Sequence, residues 1–187
     1  MREVAFVVVV DGDARHVVLV GAMGSGKTTI GGRLAAALDR KFLDNDVALR
    51  QRTGCTAAQL EARDGIDALH DAEAAALLSS LGDSAPAVIG AAASTIVDPE
   101  VQRALRGGVF VVWLRPDRAT LTARMPCSST RPFAGEDPVQ LVARQSRERD
   151  PLFAQVADLT LDSADGTPER AVTRIIASFP GSRRANG

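Results

Sequence analysis

Three observations predict an α/β domain built on a parallel sheet. Short apolar runs of strand length alternate along the chain with longer stretches of helical apolar spacing, as βα units do. One run, residues 109–114, is apolar throughout and suits a central strand buried on both faces. With 187 residues the chain is long enough to bury a sizeable core and fits one domain, for which roughly 100–200 residues is usual.

In chain order, residues 16–20 read as a buried strand running straight into the glycine-rich segment 21–26. From Lys27 to Asp39 the spacing of Ile30, Leu34, Ala37 and Leu38 fits an amphipathic helix. Residues 42–44 form a short second strand, and helical patterns follow over 47–52, 56–63 and 66–81. A third strand covers 87–91, and Asp98 opens a helix with Pro99 at its first position and Glu100 in its first turn. After the fourth strand, Pro116 and Asp117 open a helix running to about Arg124. Residues 126–138 are rich in Ser, Thr, Pro and Gly and read as a mobile loop. A helix over 139–149, a fifth strand at 159–161 and a last helix over 167–179 complete the fold. Residues 1–14 are an N-terminal extension or an extra strand, for which the run of four valines speaks, and 181–187 a frayed tail.

Basic and acidic side chains nearly balance, 22 against 23, which excludes the basic excess of a typical nucleic-acid binder. Cys55 and Cys127 are too few for a disulfide framework and match no zinc spacing, so a reducing cytoplasm is expected. No apolar run approaches the ~20 residues that span a bilayer, and no export signal is visible, so no membrane partner is expected. Trp113 is expected in the core, and His16 and Cys127 are expected to be structural.

Gly21-Ala22-Met23-Gly24-Ser25-Gly26-Lys27-Thr28 satisfies G-x-x-x-x-G-K-[ST], set between a predicted strand and a predicted helix. Glycines let backbone N–H groups turn inward around phosphate oxygens, and the following helix presents the positive end of its dipole. Lys27 offers a compact ammonium to the terminal phosphates, and Thr28 offers a hydroxyl to Mg2+. Lys27 and Lys41 are the only lysines beside 20 arginines, and a lysine here does what a planar guanidinium does not. The pattern predicts nucleoside triphosphate binding. The guanine-reading N-K-x-D stretch of a GTPase is absent. The third strand ends in Gly90-Ala91-Ala92-Ala93-Ser94 without an acid, so the metal-side carboxylate is sought in Asp44 or Asp46. A helix-capping cluster is the bland alternative for that pair.

Residues 21–32, Phe42-Leu43-Asp44-Asn45-Asp46, Arg131-Pro132-Phe133 and Arg149-Asp150-Pro151-Leu152-Phe153 resemble the shikimate kinase family, in the same order, over residues 16–179. The resemblance implies a three-layer P-loop kinase fold with five parallel strands in the order 2-3-1-4-5, ATP as phosphoryl donor and Mg2+ as its ion. It places Gly24, Ser25, Gly26, Lys27, Thr28 and Thr29 around the phosphates, and Thr28 and Asp44 at the metal. Arg124 and the 163–168 loop, Pro168 included, flank the adenine. Asp46 would contact and orient or deprotonate the acceptor hydroxyl, Arg131 on a lid over about 126–137 would reach the phosphates, and Arg149 would bind an acceptor carboxylate. Phosphoryl transfer asks for this set, charge cancellation around the phosphates and an oriented nucleophile. Period-two alternation along a strand would point Asp44 and Asp46 the same way.

Two departures stand on the acceptor side. His70 occupies the place of a family arginine that clamps the substrate carboxylate, while Glu73 keeps the following acid; a plain surface position remains the other reading of His70. Ala92, Ala93 and Ser94 fall where the family has three glycines, so strain is expected wherever φ is positive. The sequence thus predicts an ATP:alcohol phosphotransferase acting on a small polyhydroxylated, anionic acceptor, as a single domain over 15–180, expected as a monomer. A kinase for an acceptor other than shikimate, and a nucleotide-binding regulatory protein of the same fold without turnover, stay open at this point.

Overall fold

The computed structural model describes residues 14–124, 137–162 and 166–180. The extension over 1–13, the loop over 126–136 with Arg131 and Cys127, residues 163–165 and the tail 181–187 lie outside the described residues.

Strands β1 (Val17–Val20), β2 (Lys41–Asp44), β3 (Ala87–Gly90), β4 (Phe110–Arg115) and β5 (Leu159–Asp162) form one sheet in the order β2-β3-β1-β4-β5. Every pairing is parallel, as the order implied by the resemblance requires. The helices are α1 (Lys27–Ala37), α2 (Asn45–Thr53), α3 (Ala57–Asp64), α4 (Ile66–Leu81), α5 (Pro99–Leu105), α6 (Arg118–Arg124), α7 (Pro138–Val156) and α8 (Pro168–Ser178). No helix among the described residues is long and apolar enough to cross a membrane.

Alternation along β1 builds both faces of the core. Val17 and Leu19 pack with Ile30 and Leu34 of α1 and Ile175 of α8. Val18 and Val20 point the other way, into Leu77 of α4, Val101 of α5 and Phe153 of α7. A smaller cluster of Leu49, Leu60 and Leu69 ties α2, α3 and α4 into a lobe beside the sheet. Trp113 is buried, 5.8 Å from the Phe153 ring. His16 lies just before β1 and is structural: its Nδ1 accepts from Ala87 N–H at 3.1 Å, leaving Nε2 to donate to the Asp83 carbonyl at 3.0 Å.

The sequence stops α7 at Arg149, but the helix runs on through Pro151 to Val156. A proline in a helix interior costs a hydrogen bond and crowds the preceding turn. Burial of Phe153 and Val156 against β3 and β4 outweighs that local penalty. A short 3-10 turn, Thr95–Val97, also follows β3.

Candidate active site

The carboxyl ends of the strands open onto a cleft of about 1710 Å³, and the phosphate loop forms its floor. Gly21 holds φ at 140°, and a Cβ on it would stand 2.4 Å from the Leu114 carbonyl oxygen, so only glycine lets the loop leave β1 here. Deeper down, the Phe42 ring lies against α1, and a Cβ on Gly31 would stand 2.2 Å from it.

Helix α1 opens without a side-chain cap and without an acid in its first turn. Asp44, Thr56, Asp98, Asp137 and Thr167 cap α2, α3, α5, α7 and α8. An uncapped amino terminus at the floor of a cleft leaves N–H groups and a positive dipole end for an anion. The buried Ser25 hydroxyl is also without a hydrogen-bond partner among the described residues.

Lys27 Nζ donates to the carbonyls of Gly21 at 2.8 Å and Ala22 at 2.9 Å. Burial lowers its pKa to about 8, against the opposing pull of the Asp46 and Asp44 carboxylates. Thr28 Oγ1 donates to Asp44 Oδ2 at 3.0 Å, while Asp44 Oδ1 accepts from Asp46 N–H at 3.0 Å and caps α2. The capping alternative is therefore met by one carboxylate oxygen, while the other faces the Thr28 hydroxyl. A hydroxyl beside a carboxylate is a hard-oxygen pair that fits Mg2+. Among the described residues no cluster of three or more His, Cys, Asp or Glu holds a metal unaided, so phosphate oxygens and water would complete the shell.

Asp46 lines the same cleft, but not from a strand: β2 ends at Asp44, and Asp46 sits exposed in the first turn of α2. The expected period-two alignment fails because the Asp44 side chain starts the helix immediately. Gly24, Gly26, Thr29, Arg124 and Pro168 line the same cleft, with Arg124 Nη1 3.5 Å from the Gly24 carbonyl.

At the other end, α4 contributes His70 and Glu73, α7 contributes Gln145 and Arg149, and the turn after β3 contributes Ala92, Ala93 and Ser94. His70 is half-buried in the cleft wall and not a plain surface residue; burial and the nearby Arg149 charge lower its pKa. Burial raises the Glu73 carboxyl, and the donated hydroxyl of Ser94 works against that rise. Arg149 is pulled down from its ordinary value by burial, and its Nε has no hydrogen-bond partner among the described residues. The strain expected at Ala92–Ser94 is absent: among the described residues only Asp39 combines a side chain with positive φ, and Ser94 is helical at φ −71°.

Glu73, the acid the sequence places after His70, lines the cleft, and so does Gln145, which sequence reasoning did not place there. The signal for Gln145 was spacing: it precedes Arg149 by one helical turn.

The shikimate kinase family model matches residues 23–180. Over 163 residues the chain is 32% identical to a shikimate kinase of Paramagnetospirillum magneticum, covering 87% of this chain and 83% of that one. It is 35% identical over 165 residues to a shikimate kinase of Mycobacterium tuberculosis, covering 88% and 93%. A solved shikimate kinase from Acinetobacter baumannii in complex with shikimate superposes with a TM-score of 0.81 at 28% identity, covering 87% of this chain and 90% of that chain.

Proposed function

The chain belongs to the shikimate kinase family, and from that premise we propose that it transfers the terminal phosphoryl group of ATP to a hydroxyl of a small, polyhydroxylated, anionic acceptor of the shikimate type. One observation carries the reading: an uncapped helix terminus, the Lys27 ammonium and the Thr28–Asp44 pair converge in the cleft that also holds Asp46 and Arg149.

Gly24, Ser25, Gly26, Lys27, Thr28 and Thr29 cradle the phosphates, with Arg124 and Pro168 flanking the base. Thr28 and Asp44 would hold Mg2+, which when bound offsets phosphate charge. The Asp46 carboxylate orients the acceptor hydroxyl and takes its proton as the oxygen attacks phosphorus. The bond from phosphorus to the bridging oxygen breaks, and ADP leaves with that electron pair. Lys27 stabilises the charge that develops there, and Arg131 joins it. Arg149 binds the acceptor carboxylate, with His70, Ala92, Ala93 and Ser94 shaping the wall around it. The enzyme works as a monomer in the cytoplasm, where ATP is supplied, and binds neither nucleic acid nor membrane.

A regulatory protein without turnover has no use for a buried arginine at the acceptor end. The test is a coupled assay of ADP release with and without shikimate. The expected result is release that rises only with acceptor and vanishes in Lys27→Ala. Release indifferent to shikimate and to other polyhydroxy acids would defeat the proposal.

A further inference from the structure

Strand β5 stands at the edge of the sheet beside β4. The last rung between them sets Arg115 opposite Asp162, and the two side chains close a bidentate pair. Arg115 Nε donates to Oδ1 at 2.6 Å, and Nη2 donates to Oδ2 at 3.1 Å. The same guanidinium lies over the Trp113 ring, its Cζ 5.0 Å from the centroid, and that ring is buried against Phe153. Arg115 is thus held by a carboxylate and by a fixed aromatic face at once, a combination suited to a planar fork.

The pair stands where two cavities meet. Arg115 and Asp162 line the main cleft together with Gly166, Thr167 and Pro168, and they also line a second cavity of about 350 Å³ with Trp113 and Asp150. In the chain, Gly166 comes four residues after Asp162. Residues 166–168 are therefore tied from two sides. On the α8 side, Thr167 caps the helix, Glu169 pairs with Arg33 of α1, and Ala171 and Ile175 are buried in the core. On the β5 side, the strand ends at Asp162, and the Arg115 side chain is the tie added to its backbone pairing.

We propose that Arg115 and Asp162 are positioning residues for the nucleotide: their clasp fixes the end of β5 so that residues 166–168 stand where the purine meets them. This inference rests on the kinase reading of the cleft and adds a determinant of base affinity that acts without touching the nucleotide. The two side chains are 48% and 54% exposed, so water and salt screen their attraction and the pair adds little to global stability. What the pair restricts is one strand end. A freed strand end samples more positions, and a bound base must then restore the one that fits, which lowers affinity although no contact to the ligand is removed.

The experiment measures binding of ATP and of inorganic tripolyphosphate, each with Mg2+, by calorimetry. The proteins are the wild type, Arg115→Ala, Asp162→Ala, the double alanine variant, and the exchanged pair Arg115→Asp with Asp162→Arg. Tripolyphosphate carries the phosphate chain without the base, so it probes the phosphate loop alone. The expected result is ATP binding weakened about three- to fivefold by each single alanine and no further by the double. Tripolyphosphate binds all five proteins alike, shikimate KM at saturating ATP is unchanged, and the exchanged pair recovers part of the lost ATP affinity. Thermal melts move by no more than about 4 °C, which establishes that the variants are folded. Unchanged ATP affinity in the single variants, losses that add in the double, or an equal loss for tripolyphosphate overturns the inference and leaves the kinase reading standing. A wild-type protein that binds no ATP overturns both.

Discussion

Asp44 performs two tasks with two oxygens, and substitution separates them. In Asp44→Asn, Oδ1 continues to accept from Asp46 N–H, so α2 stays capped, and the new amide donates to the Thr28 hydroxyl in place of Oδ2 accepting from it. Stability therefore changes by no more than about 0.5 kcal/mol. In Asp44→Ala the cap is lost, at about 1 kcal/mol, or about 2–4 °C in Tm for a domain of this size. Both variants remove the carboxylate assigned to Mg2+ and one of the three carboxylates that support the Lys27 charge. Losing a charged contact of this kind costs about 1.5–3 kcal/mol, so the Mg2+ concentration for half-maximal ADP release rises at least tenfold in both. The assay is a Mg2+ titration of acceptor-dependent ADP release beside thermal melts of the three proteins. An Asp44→Asn protein with wild-type Mg2+ dependence would refute the metal-side assignment, whatever its melting temperature.

Three further outcomes follow from particular contacts. Lys27 titrates near pH 8 in the free protein, and phosphate charge raises that value on binding; nucleotide binding at about pH 8.5 therefore takes up a proton, and affinity falls as pH climbs toward about 9.5. Calorimetry in buffers of different ionisation heat reads this directly, and binding without proton uptake would contradict it. Gly31→Ala forces a methyl against the Phe42 ring and loses about 1–3 kcal/mol, whereas Gly32→Ala meets open space and gains about 0.5–1 kcal/mol from helix propensity; equal effects of the two in denaturant melts would contradict the packing around Phe42. His16→Ala leaves the Ala87 N–H without its acceptor and lowers stability by about 1–3 kcal/mol with both KM values unchanged; unchanged stability would show that this latch carries no weight.

Much of the fold was legible because its local signals agree with its tertiary packing. The bounds of α4, Ile66–Leu81, are those the sequence predicts, with Gly65 and Gly82 at its two ends. The phosphate loop was readable since its four fixed positions have a backbone, charge or hydroxyl requirement that few other residues meet. Failures came where long-range contacts overrule local chemistry. Pro151 reads as a helix stop until Phe153 is seen packed against Trp113. Asp46 reads as strand until Asp44 is seen capping α2. At the acceptor end, comparison with glycines suggested strain at Ala92–Ser94, yet the ordinary backbone there accepts side chains and uses one of them, Ser94, to hold Glu73. Half-burial of His70 depends on how α3, α4 and α7 surround the cleft, and no spacing within α4 reveals it.

The central claim is that the cleft passes a phosphoryl group from ATP to an alcohol instead of to water. Phosphorus NMR of a mixture of protein, ATP, Mg2+ and shikimate follows that group directly. The account predicts a phosphomonoester resonance that grows in step with ADP and is missing with Lys27→Ala. Growth of inorganic phosphate alone, or an unchanged ATP spectrum, would contradict it.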